Sequence, residues 1–124
     1  SATAILNTAF NTLREPTSRA DYLLHLLCKK QKLDERSLPD GFLGEMFFLQ
    51  ESLDELLESG NEAELSGMRE DLNGRQKNIE ADYSPLFKKF EDNPEDPEIL
   101  QQLQTHLNAE RYLRRLLDRI PAID

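Results

Sequence analysis

From Phe42 to Ile120 the apolar residues recur at intervals of three and four, and turn-forming residues separate the pattern at two places. These are Ser59-Gly60-Asn61 and Asn93-Pro94-Glu95-Asp96-Pro97. A 3.6-residue period sustained between short turns predicts helices that run antiparallel to their neighbours. The first turn supplies Gly60 for the left-handed position past a helix end. Asn61 and Glu64 then form an approximate capping box. In the second, Asp96 is the expected cap and Pro97 the first helical residue. Between the turns the seam runs through Leu65, Met68, Leu72, Ile79, Tyr83, Leu86 and Phe90, with Gln76 in the slot between Leu72 and Ile79. Pro85 removes one backbone hydrogen bond from this helix. Since the apolar phase crosses it unbroken, a kinked helix is expected, with a break as the alternative. The last helix carries Ile99, Leu103, Leu113, Leu117 and Ile120, flanked by Leu100 and Leu107, with His106 and Glu110 at the two intervening positions.

The helix from Gly41 to Ser59 has more apolar residues than one buried stripe can use. Phe42, Met46, Leu49, Leu53, Leu56 and Leu57 fall on one face at about 100° per residue. Leu43, Phe47 and Phe48 project from another side, among Gly44, Glu51 and Glu55. A second apolar face needs a second covering surface, either another helix of this chain or a partner, and periodicity does not distinguish the two. Ser37 or Asp40 is the expected cap of this helix.

Upstream, Ile5, Leu6, Ala9, Phe10 and Leu13 predict a short helix over 4–13, ended at Glu15-Pro16. A second is expected from about Thr17 to Lys30, with Ala20, Leu23, Leu24 and Leu27 as its stripe. The apolar period lapses between Lys29 and Pro39. The expected fold is therefore all-α: a three-helix antiparallel bundle over 39–124, a linker at 31–38, and a short helical arm over 1–30. Leu, Glu, Gln and Arg dominate and Trp is absent, which suits helices.

Charge and composition narrow the function. With 15 basic and 24 acidic residues the net charge is −9, whereas phosphate binding needs a concentrated basic face, so no nucleic-acid partner is expected. The one basic concentration, Arg111, Arg114, Arg115 and Arg119, sits in the last turns of a helix, where cations complement the macrodipole. A single cysteine, Cys28, cannot form an intrachain disulfide and points to a reducing compartment. No apolar run is long enough to span a membrane and no secretory signal opens the sequence, so no membrane association is expected, and the expected location is cytoplasmic, or an organelle matrix after processing.

Catalytic groups do not converge. His25 and His106 lie on different expected helices without a second His or Cys at ligand spacing, so no metal site is expected. His106 and Glu110, one turn apart, could pair as imidazole and carboxylate, and a satisfied polar pair at the seam is the better reading of them than an acid-base couple. Lys29 and Lys30 beside Cys28 do not make it more than a buried bystander thiol. No phosphate loop, nucleophile elbow or H-E-x-x-H is present. Neither an enzyme nor a cofactor is expected.

Residues 5–27, ILNTAFNTLREPTSRADYLLHLL, resemble the end of a J domain through Phe10, Leu13, Pro16, Arg19 and Tyr22. The run Arg19-Ala20-Asp21-Tyr22-Leu23-Leu24 is similar to the HscB family, the J-type co-chaperones of iron-sulfur cluster assembly. In the helix from Gly41 to Ser59, Phe42-Leu43-Gly44-Glu45 and Glu51-Ser52-Leu53-Asp54-Glu55 also resemble that family's pattern. The resemblance implies a J domain that recruits a DnaK-class chaperone, whose terminal helices would be residues 1–30, and a C-terminal three-helix bundle that holds the scaffold protein IscU. The His-Pro-Asp tripeptide of J domains is absent from this sequence, so this chain alone is not expected to stimulate the chaperone ATPase. The family's scaffold-binding patch maps onto Leu43, Gly44, Phe47, Phe48, Glu51, Glu55 and Tyr112. Gly44 stands where the family usually has Met, and Phe48 where Glu is common. The competing readings are a J-type co-chaperone with a different client and a self-associating helical structural protein.

Overall fold

The computed structural model describes residues 4–5, 15–27 and 32–122. The helix expected over 4–13, apart from Ala4 and Ile5, and Cys28 lie outside the described residues. Among those residues the regular secondary structure is all helical, with α1 (Pro16–Leu27), α2 (Phe42–Ser59), α3 (Glu62–Asp92) and α4 (Pro97–Arg119). The turn chemistry works as expected at both helix junctions. Gly60 takes φ 68° and donates to the Leu56 carbonyl, and the Asn61 side chain accepts from the Glu64 N–H. Asp96 accepts from Glu98 ahead of Pro97. α3 continues through Pro85 without a break.

The start of α2 differs. Neither Ser37 nor Asp40 caps it: Gly41 is the N-cap, at φ 74°, with no side-chain cap bond. The left-handed turn that brings the chain into the helix requires a residue without Cβ strain, and Gly41 supplies it.

α3 and α4 form a long hairpin, about 46 and 34 Å at the usual helical rise, and they support two separate apolar clusters. At one end Phe42, Met46 and Leu53 of α2 meet Leu65 and Leu72 of α3 and Ala109, Leu113, Leu116 and Ile120 of α4. This is the expected three-helix seam, with Leu49, Leu56, Leu57 and Leu117 only partly buried against it. At the other end Ala20, Leu23, Leu24 and Leu27 of α1 pack with Tyr83, Leu86, Phe87 and Phe90 of α3. Ile99, Leu100, Leu103 and Leu107 of α4 complete this cluster. α1 is thus a core element and not an arm beside a self-sufficient bundle. The hairpin is longer than α2 can cover, and α1 buries the apolar surface of its far half, with Ile5 and Leu33 packed against the same cluster.

Where the clusters meet, Glu110 is 1% exposed. It does not pair with His106. The Thr17 hydroxyl of α1 lies 2.9 Å from each carboxylate oxygen, the Tyr83 hydroxyl donates at 2.8 Å, and Gln76 donates at 3.3 Å. The Arg114 guanidinium stands 3.6 Å away. A buried carboxylate is tolerated because its lone pairs are filled this way. Burial, and then the bond to Glu110, hold the Tyr83 hydroxyl protonated far above its ordinary range. His106 instead has Nδ1 2.8 Å from the Gln102 carbonyl and Nε2 3.1 Å from Asp82. No three His, Cys, Asp or Glu side chains among the described residues converge as metal ligands, and no described helix is long and apolar enough to cross a membrane.

Candidate functional site

The connection from α1 to α2 prepares the site. Polar residues at 101, 105 and 108 recur one turn apart on α4 and stitch this segment to the helix. Gln101 exchanges two hydrogen bonds with the Asp34 backbone, at 2.8 and 3.0 Å. Thr105 bonds the Ser37 hydroxyl at 2.9 Å, and Asn108 donates to the carbonyls of Glu35 and Ser37, both at 2.9 Å. Leu33 packs on the α1 cluster and Leu38 on the α2 cluster. The segment is therefore a strap that sets α2 against α4. The polar stripe on α4 was the sequence signal for it.

α2 then runs parallel to α4 and antiparallel to α3. Phe42 meets Tyr112 edge-on at 6.0 Å, Asp54 pairs with Arg119, and Glu45 pairs with Arg75. These contacts fix which face of α2 turns outward. Leu43 is 57% exposed, Phe47 60% and Phe48 71%. Gly44, Glu51 and Glu55 are exposed between and beyond them. No described helix covers this face, so the second apolar face is surface.

Leu43, Phe47, Glu51 and Glu55 follow one another at i, i+4 spacing and form a single row, with Gly44 and Phe48 in the row beside it. The row is apolar toward the α2 N-terminus and acidic toward its C-terminus. Tyr112 joins it from α4: half-buried, it lines a groove together with Leu43, and the Arg115 guanidinium lies 5.6 Å from its ring centroid. A Cβ at Gly44 would meet no atom within 4 Å, so open space surrounds that position. Nothing in this arrangement resembles a catalytic constellation. An apolar row, an aromatic and flanking charges lie together on one exposed face of the protein.

The family model described as "HSCB C-terminal oligomerisation domain" matches residues 38–120. The chain belongs to the HscB family. HscB proteins are co-chaperones of iron-sulfur cluster assembly, and the match spans α2, α3 and α4 with the end of the strap. No solved structure matches the chain.

The basic cluster of α4 divides once the fold is formed. Arg111 pairs with Asp21 at 3.0 Å and Arg119 with Asp54, tying α4 to α1 and α2, while Arg114 pairs with Glu110 one turn away on α4 itself. Arg115 alone of the four turns onto the aromatic of the surface. Arg36 and Leu38 also line the groove with Leu43 and Tyr112. Both lie in a segment whose periodicity carries no signal, and the sequence pattern alone does not connect them to the site.

Proposed function

We propose that this HscB-family chain holds an IscU-like iron-sulfur scaffold protein on the α2 face, for delivery to a DnaK-class chaperone recruited through a J domain whose final helices residues 1–30 resemble. Leu43, Phe47 and Phe48 anchor the scaffold, with Tyr112 closing the side of the patch. Gly44 leaves room for close approach, and Glu51 and Glu55 steer a basic rim of the partner. The observation that carries the reading is the exposure of three large apolar side chains on one face of a helix whose opposite face is core. Isolated exposed apolar residues are ordinary on soluble proteins, but a contiguous row of this size marks an interaction surface. Titration of the chain with purified scaffold protein, followed by calorimetry, tests the proposal. Binding in the micromolar range or tighter is expected, and no binding at high micromolar concentration rejects it.

A second reading has support of its own, since the matching family is described as an oligomerisation domain. In that reading the α2 face buries a second copy of the chain. Sedimentation would then give a dimer that Phe47→Ala and Phe48→Ala dissociate, whereas a monomer at all accessible concentrations would reject it.

A further inference from the structure

Next to the apolar row lies a groove of about 360 Å³, walled by the strap on one side and α4 on the other. Leu38, Leu43 and Tyr112 make its apolar part, and Arg36, Arg111 and Arg115 its charged part. Its one acid is Glu35, so in a chain of net charge −9 this is a place where the local sign reverses. The arginines differ in what they are already doing. Arg111 is engaged by Asp21. Among the described residues the guanidinium groups of Arg36 and Arg115 have no carboxylate partner, and Arg115 rests over the Tyr112 ring.

Arg36 is also held in place by its backbone. Its N–H donates to the Asp34 carboxylate at 3.0 Å, and Asn108 grips the carbonyls on either side, those of Glu35 and Ser37. A cation on an ordered strap loses less freedom on pairing than one on a loose linker. A planar guanidinium already stacked on an aromatic is similarly pre-set to receive a carboxylate in its fork.

We propose that this groove is a second docking subsite, which takes an acidic segment of the same partner protein that covers the apolar row; the proposal rests on the scaffold-holding reading above. Leu43 belongs to both surfaces, so the two are continuous. Together they form a row that is basic at the α2 N-terminus, apolar in the middle and acidic at Glu51 and Glu55. A partner with an acidic segment at one end of its contact and basic groups at the other fits this row in one orientation only. The apolar anchors supply contact and the two charged ends set direction.

The test uses the full chain, isotopically labelled for NMR, and two short peptides of alternating leucine and glutamate or leucine and glutamine. The glutamate peptide is expected to shift the Arg36 and Arg115 side-chain N–H and Leu43 methyl signals. It should bind roughly three- to tenfold more tightly than the glutamine peptide, the range that two exposed ion pairs give. Arg36→Glu with Arg115→Glu should remove that difference while leaving the melting curve in place, and should weaken scaffold binding by a similar factor, more at low salt than at high salt. Equal binding of the two peptides overturns the proposal, as does a scaffold affinity that the double variant leaves unchanged. A dimer that the double variant dissociates would assign the groove to Glu51 and Glu55 of a second copy and also overturn it. If the unaltered chain binds no scaffold, the scaffold-holding reading fails, and the peptide pair still decides the groove.

Discussion

Leu23→Ala should destabilise the whole protein, although Leu23 lies on the helix that the sequence places outside the bundle. Leu23 is 0% exposed and sits in the cluster formed by α1 with the far halves of α3 and α4. The substitution removes three carbons, about 2.4 kcal/mol at the usual transfer value, and leaves a cavity whose walls, Tyr83 through Phe90 on one side and Leu100 through Leu107 on the other, belong to two long helices that cannot easily collapse inward. The expected cost is therefore about 3 to 4 kcal/mol, within the range for buried leucines. For a chain of this length that lowers Tm by about 10 °C or more. Circular dichroism on heating and in urea gives both numbers. The loss should appear as a shift of one cooperative transition, because α3 and α4 pass through both clusters and neither half can melt without unwinding helices that the other needs. Leu53→Ala, equally buried in the α2 cluster, should shift the same transition by a similar amount. If Leu23→Ala leaves the main transition in place, or splits off a small separate one, α1 is an appendage and the two-cluster account is wrong.

Phe47→Ala, on the exposed face, should leave Tm nearly unchanged and weaken scaffold binding by about 1 to 3 kcal/mol, measurable by calorimetry; unfolding by this variant would mean that the α2 faces are reversed. Gly44→Ala should stabilise the protein by up to about 1 kcal/mol, since helical propensity improves and the new methyl meets nothing, and a lower urea midpoint would contradict this. The Glu80 carboxyl is held above its ordinary range by burial, then by its hydrogen bond with Glu110 and the charge there. The folded state thus binds this proton more tightly than the unfolded chain does. Protonated Glu80 contributes stability that is complete below the ordinary glutamate range and is lost as pH rises through the raised value. Glu80→Gln should accordingly raise Tm near pH 7 and have less effect near pH 4, and equal shifts at both would refute the coupling. Glu51→Ala with Glu55→Ala should slow scaffold association and flatten its salt dependence with little change in dissociation, as stopped-flow mixing would measure.

Much of the fold could be read locally. The caps Asn61 and Asp96, Gly60 at its left-handed turn and the passage of α3 through Pro85 all depend on residues within a few positions of one another. The outward face of α2 was legible for a related reason: Leu43, Phe47 and Phe48 lie too far around the helix from Phe42, Met46 and Leu53 to share one stripe. What periodicity could not say was whether another helix of the chain would cover them.

The sequence by itself therefore determined that this chain is helical, where its helices turn, and which residues of α2 stand apart from its core seam. Those properties follow from periods and caps that act over a single turn of helix. Only the tertiary structure decided which helices share a core. α1 belongs to it because the α3–α4 hairpin outreaches α2. Glu110 takes its hydrogen bonds from Thr17 on α1 and from Gln76 and Tyr83 on α3, not from His106 one turn away. The same long-range packing folds Arg36 and Arg115 to one groove, 79 positions apart in the chain. Burial and pairing between residues distant in sequence depend on how long elements are laid against each other, and no local pattern carries that information.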